Sequence, residues 1–589
     1  MEDIEFLIIN THRQHKTYKN PTGDWLGIHY IASFLNENGI NTLAFAGYAH
    51  EVPIILEKYI LQSKTLKAVG FSCDYENINE IARFSQRVKT YDKNLQVIVG
   101  GPQALFLDKQ FFEISQVDFI VYGEGELTCL ELLQYLSNVN IDNNYKYDYN
   151  KLKNIKGIKY INKNSNSELV TTLPRPTIQN LDALPFPNSK YALGSLFRPT
   201  LASFLTGRGC PFQCAFCYEG SNTNGIRWRS VKNVIKEIKQ VLDERPDIHY
   251  IMFTDDTFTI NENRIKEFCK ELKILRTEYD FTWFCEGHVK TLHNKPYLLA
   301  EMIDAGLSCL QIGIESGCDE VLKAYNKNIT TKMITDLVKS AYELGLEQLW
   351  GNIILGGALE TRERIQKNLR FCQHLYELAP GMINMDVVYF WPLPGTKITT
   401  NPNEYGMKIL DKNSDYSLMD FPVVEYENIS RTDFCNIRTD FINTLENTAK
   451  KLVPKIPIKN VFRMIRNKNK SSNFAIWLRV ILEVEEYAKF FTLLQVGATV
   501  LSADVSLGYL KTTHPMRTGH PSKFSEQGEL ILINIDNQIL SLDETKLLCL
   551  ASGKLDYLTL LERSNFSEEK FLSLLKQLEN KRLLTFSKY

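Results

Sequence analysis

The most concentrated chemistry in the chain lies in fourteen residues, Gly207-Arg-Gly-Cys-Pro-Phe-Gln-Cys-Ala-Phe-Cys-Tyr-Glu-Gly220, which place Cys210, Cys214 and Cys217 at a three-then-two spacing. Such a spacing brings three thiolates within reach of one metal centre, and glycines on both sides let a loop wrap it without Cβ clashes. A structural zinc usually has a fourth ligand close by. Here the next histidine and cysteine, His249 and Cys269, fall in segments that read as regular structure. The pattern therefore predicts a three-ligand centre with an open position, where chemistry can occur. A structural or chance cysteine cluster is the plainer alternative.

Carboxylates supply a second set of candidates. The apolar run from Tyr250 ends in Thr254, Asp255 and Asp256, and adjacent carboxylates at a strand end either cap the next segment through Asn261 or hold a charged ligand. Ser230 caps a helix whose apolar residues fall on one face, which core packing explains. Further strand patterns at 282–286, 309–315, 351–355 and 385–390 alternate with helical ones. With the strand before the cysteines they predict a partial (β/α)6 barrel of the TIM type, whose functional groups gather at the carboxyl ends of its strands.

The segment Cys210-Pro-Phe-Gln-Cys214-Ala-Phe-Cys217 resembles the cysteine motif of the radical S-adenosylmethionine (SAM) enzymes. The resemblance implies that the three cysteines are the metal ligands of a [4Fe–4S] cluster whose fourth iron is chelated by SAM, and that Phe216 is the aromatic residue preceding the last cysteine. Gly313-Ile-Glu-Ser-Gly317 resembles the family's ribose-binding motif, which assigns Glu315 and Ser316 to SAM. Gly351-Asn-Ile-Ile-Leu-Gly-Gly357 resembles its adenine-bordering strand and adds Gly356. Thr254, Asp255 and Asp256 occupy the strand end that contacts the methionine amino group, and Phe390–Thr396 matches a closing Pro-Gly-Thr turn.

The N-terminal third must position something else. Strand candidates at 4–10, 41–46, 67–72, 95–99 and 118–121 alternate with helix candidates at 25–38, 52–62, 77–91 and 126–136, which is the pattern of a doubly wound, Rossmann-like parallel sheet. Its strand ends carry Gly70 and Ser72, then Gly100, Gly101, Pro102 and Gln103, then Gly123, Glu124, Gly125 and Glu126. Glycine there lets backbone approach a large ligand, although strand-to-helix turns need glycine anyway. This set, together with Leu26-Gly27, resembles the cobalamin-binding domain preceding the cluster domain in one radical SAM subclass. The Asp-x-His-x-x-Gly loop that supplies a cobalt ligand in other cobalamin proteins is absent, and the first loop offers only His12 and His15.

Residues 139–198 hold a hairpin pattern and then Pro174, Pro176, Pro185 and Pro187, which reads as a linker. Residues 401–525 read as a helical region. It contains a basic run with Lys455, Lys459, Arg463, Arg466, Lys468 and Lys470, either a solvated face or a dock for an acidic segment. A long amphipathic helical pattern spans 474–501, and His514, Arg517 and His520 sit in a Pro- and Gly-punctuated loop. In 526–589, arms at 530–535 and 538–542 predict a tight hairpin, Ser541 opens a capping box, and further helices and a terminal strand complete a winged-helix-like unit. That unit resembles the leader-peptide recognition domains of ribosomal-peptide (RiPP) pathways; a packing appendage is the alternative.

Composition bounds the rest. A chain of 589 residues with 44% apolar residues supports several cores, here divided as 1–138, 139–198, 199–400, 401–525 and 526–589. A formal charge of −1 gives no general pull toward nucleic acid or an anionic membrane. Twelve sparse cysteines, a start without signal-peptide features and no long uncharged apolar stretch predict a cytoplasmic protein. The expected fold class is α/β with an α-rich C-terminal region. The expected function is cobalamin-dependent radical SAM methyl transfer to an unactivated carbon of a peptide or natural product, fed by a low-potential donor such as flavodoxin or ferredoxin. Rearrangement, cyclisation or epimerisation without methyl transfer is the alternative within the family. A non-catalytic, metal-stabilised peptide-binding protein is the alternative outside it.

Overall fold

The first five apolar runs become parallel strands, Phe6–His12, Thr42–Tyr48, Ala68–Ser72, Gln96–Gly100 and Phe119–Val121. The structure is a computed structural model. It describes residues 3–12, 26–138, 147–194, 200–222, 225–410, 421–467, 475–503, 505–518, 523–524, 530–531 and 540–588. In space the five strands run fifth, fourth, third, first, second. Their order reverses between the first and third strands, which puts the ligand crevice of such a sheet at those carboxyl ends. Helices Leu26–Glu37 and Gly125–Ser137 bury Ile28, Leu35, Leu132 and Leu136 on one face. Val52–Gln62 and Ile78–Tyr91 bury Leu56, Ile81 and Val88 on the other.

The hairpin expected in the linker belongs to this sheet. Ile158–Asn162 pairs antiparallel with both Phe119–Val121 and Glu168–Thr171, while Ala192–Leu193 adds a parallel strand at the opposite edge. A hairpin hides its own edge by extending a sheet whose last strand has unpaired groups.

The second layer is six parallel strands in chain order: Leu201–Phe204, Tyr250–Phe253, Thr282–Gly287, Leu307–Glu315, Gln348–Leu355 and Ile383–Tyr389. Each lies next to its sequence predecessor, as right-handed β-α-β repeats require, and the outer helices include Val231–Glu244, capped by Ser230 as expected. This is the predicted partial barrel. Seven cysteines outside the 210–217 loop are buried.

Helix Arg431–Leu452 packs on Arg362–Leu378, and Trp477 Nε1 donates to Ile383 O at 2.7 Å, so the helical region shares the barrel's core. The long pattern over 474–501 folds as two helices, Ala475–Glu483 and Glu485–Gln495, broken at Val484, whose ψ of 98° is extended. The break turns Trp477 and Phe490, both buried, into one core. Basic residues in this region are partly consumed: Arg463 donates to Gly345 O at 2.7 Å, and Lys450 pairs with Glu483. Lys468 and Lys470 lie outside the described residues.

The terminal unit has its capping box at Ser541 and helices Leu542–Leu550, Tyr557–Ser564 and Glu568–Asn580. Leu584–Ser587 pairs antiparallel with His514–Arg517, so the latter is strand, not loop. Leu530–Ile531 pairs with Lys523–Phe524, while most of the expected 530–542 hairpin, and His520, lie outside the described residues. Among the described residues no helix is long and apolar enough to cross a membrane.

Candidate active site between the barrel and the N-terminal sheet

Asp255 sets up the cysteine loop. Its buried carboxylate accepts from the Thr206 amide at 2.6 Å, the Gly207 amide at 3.2 Å and the Thr206 hydroxyl. Burial lifts its pKa to about 6, opposed by those bonds. Asp255, expected to touch SAM, is spent instead on holding the first strand's exit. Thr254 is likewise engaged, its amide donating to Phe204 O at 3.0 Å. Asp256 remains open to the recess. It is ringed closely by protein, so burial raises its pKa while the Gly209 amide lowers it.

The loop is supported independently of its sulfurs. Ala215 N donates to Tyr325 O at 2.8 Å, Ile398 N to Ala215 O at 3.2 Å, and Asn326 Nδ2 to Gln213 O at 2.8 Å. Phe216 meets Tyr325 edge-on, and Phe212 stacks on His288 with centroids 3.7 Å apart. At Gly220 an added Cβ would lie 3.0 Å from the Cys214 amide and the Phe212 carbonyl, so a larger residue would push on the backbone of the loop.

Cys214 is buried and its pKa rises to about 11, chiefly by burial, with Lys327 pulling it down and Cys217 and Cys210 pushing it up. Cys217 is raised by burial too. Two buried thiols that resist ionising, Cys214 and Cys217, require a cationic centre to become ligands. Among the described residues no three His, Cys, Asp or Glu side chains converge on a single ion. A [4Fe–4S] cluster needs no such convergence, because each thiolate binds a different iron, and the donor set fits it.

Glu315 ends its strand at a bulge, with φ of 61°, and accepts from Lys327 Nζ at 2.7 Å. Both are buried, and Gly313 leaves the room they fill, since a Cβ there would meet Glu315 Oε1 and Lys327 Nζ. The Lys327 ammonium also lies 5.6 Å from the Phe216 ring centroid. Burial pulls the Lys327 pKa down, but Glu315 and Cys214 outweigh it and the net shift is upward. Ser316 is buried and its hydroxyl accepts from Cys318 N at 3.2 Å, a bond within the turn that leads into helix Asp319–Ala324. Gly356, at φ of 76°, faces Val424.

Glu286 lies close enough to Asp256, Lys327, Asp255 and Glu315 to feel their charges. Its pKa reaches about 7, raised first by burial, then by Asp256, with Asp255 and Glu315 adding and Lys327 opposing. A carboxyl raised from an ordinary 4.5 favours folding at low pH and loses that contribution as pH climbs through about 7. Glu286→Gln should therefore stabilise the protein by about 3 kcal/mol at pH 8 and by less than about 1 kcal/mol near pH 5. Thermal unfolding at the two pH values checks this, and an equal shift at both would refute it.

Across the gap stand the glycine turns of the sheet. Gly123, at φ of 80°, has nothing within 4 Å of where a Cβ would lie. Asn10 Oδ1 and Gln103 Oε1, on residues 6% and 7% exposed, have no hydrogen-bond partner among the described residues. An open cradle with orphaned acceptors at the strand ends fits a large polar ligand such as cobalamin. Gly101, at φ of 95°, presses on Cys73 and Ser72, and Cys73 N donates to Gly100 O at 2.7 Å, which ties these turns together.

Six expected cobalamin contacts have other engagements. Gly70 lies inside its strand, where a Cβ would strike the Phe6 ring at 2.5 Å, so packing explains it. Leu26 joins Tyr30, Leu181 and Leu205 in the seam between sheet, linker and barrel. Glu124 and Glu126 are taken by arginines of the barrel: Arg208 donates to Glu124 at 3.1 Å and to Glu126 at 2.5 Å, and Arg227 reaches Glu124 at 2.9 Å. Gly125 opens the following helix against Ile31. Pro102 offers its carbonyl to the Tyr218 hydroxyl at 2.8 Å. His12 closes its strand, and His15 lies outside the described residues. An open cleft of about 890 Å³ between helices 52–62 and 78–91 is lined by none of the expected site residues.

Residues 204–372 match the model of the radical SAM superfamily, and residues 20–133 match that of the B12 binding domain. This chain joins a B12 binding domain to a radical SAM domain. The two domains bring three cofactors, an iron–sulfur cluster and SAM to the barrel and cobalamin to the sheet. An uncharacterised methyltransferase of Pyrococcus horikoshii is 29% identical over 451 residues, spanning 75% of this chain and 90% of that protein. The anaerobic magnesium-protoporphyrin IX monomethyl ester cyclase of Cereibacter sphaeroides is 26% identical over 300 residues, 50% of this chain and 47% of that protein, so the chain spans about half of the cyclase. The solved radical SAM methyltransferase TsrM of Kitasatospora setae shares the fold, with a TM-score of 0.58 at 13% identity over 83% of this chain and 100% of that one.

Sequence reasoning missed Lys327, Arg208, Arg227, Glu286, His288 and Tyr218. Arg208 and Tyr218 lie inside the cysteine stretch itself; Lys327 is a lone lysine in a polar turn and carries no local signal.

Proposed function

We propose that this enzyme is a C-methyltransferase acting on an unactivated carbon of a peptide or natural product. The observation that carries the reading is the juxtaposition of the cysteine loop and the glycine turns, with Tyr218, next to Cys217, bonded to Pro102. When bound, SAM on the reduced cluster supplies a 5′-deoxyadenosyl radical and cobalamin supplies the methyl group. The chain's own residues bind and orient. Cys210, Cys214 and Cys217 hold the metal, Lys327 favours the ionised form of Cys214 and Cys217, and the Glu315–Lys327 pair and Asp256 stand toward the charged ends of SAM. Backbone at Gly100, Gly101 and Gly123 and the orphaned Asn10 and Gln103 receive cobalamin. Tyr75, Trp391, Tyr218 and Phe106 make edge-on contacts between the two sites, a dry wall against which a substrate sits.

Names of relatives divide between methyl transfer and cyclisation, so one experiment decides. Anaerobic incubation with flavodoxin or another low-potential reductant, SAM and candidate substrates is followed by mass spectrometry. A gain of one methylene mass with S-adenosylhomocysteine and 5′-deoxyadenosine supports methyl transfer, while 5′-deoxyadenosine with an unmethylated product supports cyclisation or rearrangement. The peptide half of the proposal rests on the terminal unit. Its strand Leu584–Ser587 is flanked by His514–Arg517 and a bridge to Thr499, which leaves, among the described residues, the short Lys523–Phe524 and Leu530–Ile531 pair as an edge for a leader strand.

Gly123→Val tests the cobalamin cradle. A β-branched residue at φ of 80° costs about 1–2 kcal/mol of strain and projects into the open space. Cobalamin retained after gel filtration is expected to fall well below the wild-type level, with the cluster unaffected; full occupancy would make the turn a mere connector.

A further inference from the structure

The cysteine loop is fastened at both ends to the two glycine turns of the sheet. At its start, Gly207–Arg208 pairs antiparallel with Arg227–Trp228, which sets two guanidiniums side by side. Arg208, two residues before Cys210, donates to Glu124 at 3.1 Å and Glu126 at 2.5 Å and lies over the Tyr30 ring at 5.6 Å. Arg227 adds Glu124 at 2.9 Å and the Ile178 carbonyl at 2.5 Å. At the loop's end, Tyr218, the residue after Cys217, donates to Pro102 O at 2.8 Å. The side chains of Arg208 and Glu126 are only 17% and 4% exposed, so the first fastening is little screened by salt.

We propose that Arg208 and Tyr218 are positioning residues that set the separation and tilt between the cluster and the cobalamin without binding either. This rests on the reading above that the two sites hold those cofactors. One contact would fix a distance and leave rotation free, whereas two contacts at opposite ends of the loop fix both. The need is chemical: a radical made at one cofactor must meet a group delivered by the other, and a misplacement of about 1 Å costs on the order of a hundredfold in rate. It also accounts for carboxylates in a turn otherwise made of small residues. Their partners are arginines of the other domain.

The test uses the full chain with Arg208→Gln, Arg208→Lys and Tyr218→Phe. Hydrogen exchange is read first, on protein without cofactors. In Arg208→Gln, amides of 122–127 and 205–210 are expected to exchange on the order of tenfold faster, together, as the two turns lose their shared anchor. Protein reconstituted with iron, sulfide, SAM and hydroxocobalamin is then reduced, and the dipolar coupling between the cluster spin and Co(II) is measured by pulsed EPR. Arg208→Gln and Tyr218→Phe are expected to keep wild-type iron and cobalamin contents while the distance distribution broadens or shifts, and Arg208→Lys to recover part of the coupling. An unchanged distribution in both variants overturns the proposal. So does loss of either cofactor from a folded variant, which would make these residues ligands. If Arg208→Gln fails to fold, Tyr218→Phe, which removes a single hydroxyl, carries the test. Should the wild type take up no cobalamin, the functional reading fails, and the exchange data alone then decide whether the fastening exists.

Discussion

Replacing Cys210, Cys214 and Cys217 together by alanine is expected to remove the iron–sulfur absorbance and all 5′-deoxyadenosine formation while leaving the fold intact. On the proposed reading each thiolate is a ligand with no substitute in the loop, and the other buried cysteines lie in cores. The fold should survive because the loop's supports are backbone bonds, Ala215 to Tyr325 and Ile398 to Ala215, together with Asn326 on Gln213. Only Cys214 of the three is fully buried, at 7% exposed, so trimming the sulfurs costs about 1 kcal/mol. Iron and sulfide assays, reversed-phase detection of 5′-deoxyadenosine and a thermal melt check the three parts. Iron and sulfide retained at wild-type levels would overturn the ligand assignment.

What the sequence disclosed follows from how local each feature is. Strands such as Ala68–Ser72 and Gln348–Leu355 announce themselves by short apolar runs between helical patterns, because a parallel strand is buried on both faces. The cysteine triad is legible because its three thiols are near neighbours in the chain. Readings failed where the deciding partner is distant. Gly70 looks like a turn glycine until Phe6, sixty-odd residues earlier, is found against it. Glu124 and Glu126 look like ligand groups until Arg208, more than eighty residues later, takes them. The Asp255 and Asp256 pair divides for the same reason: as the strand ends, one side chain turns in to Thr206 and the next turns out to the recess. The hairpin at 158–171 was legible as a hairpin but not as the edge of a sheet, since pairing with Phe119–Val121 leaves no mark on either segment.

Lys327→Met is expected to be the most destabilising single change in the barrel. The Lys327 and Glu315 side chains are 9% and 7% exposed, and removing one member of such a pair leaves an uncompensated buried charge, which costs about 3–5 kcal/mol. Adding Glu315→Gln removes the stranded charge and leaves a neutral amide, whose unmet hydrogen bond costs about 1–2 kcal/mol. The double variant should thus recover more than half of the loss, a non-additivity that identifies the pair as the cause. The same lysine lowers the pKa of Cys214 and Cys217, so both variants should also load less iron at neutral pH, the double no better than the single. Stability that rebounds while iron loading does not would separate the two duties of Lys327. An Arg replacement keeps the charge and should preserve both, unless its larger fork cannot enter the space that Gly313 leaves. Equal melting temperatures for Lys327→Met and the wild type would mean that the ion pair contributes nothing to holding the Glu315 strand end in place.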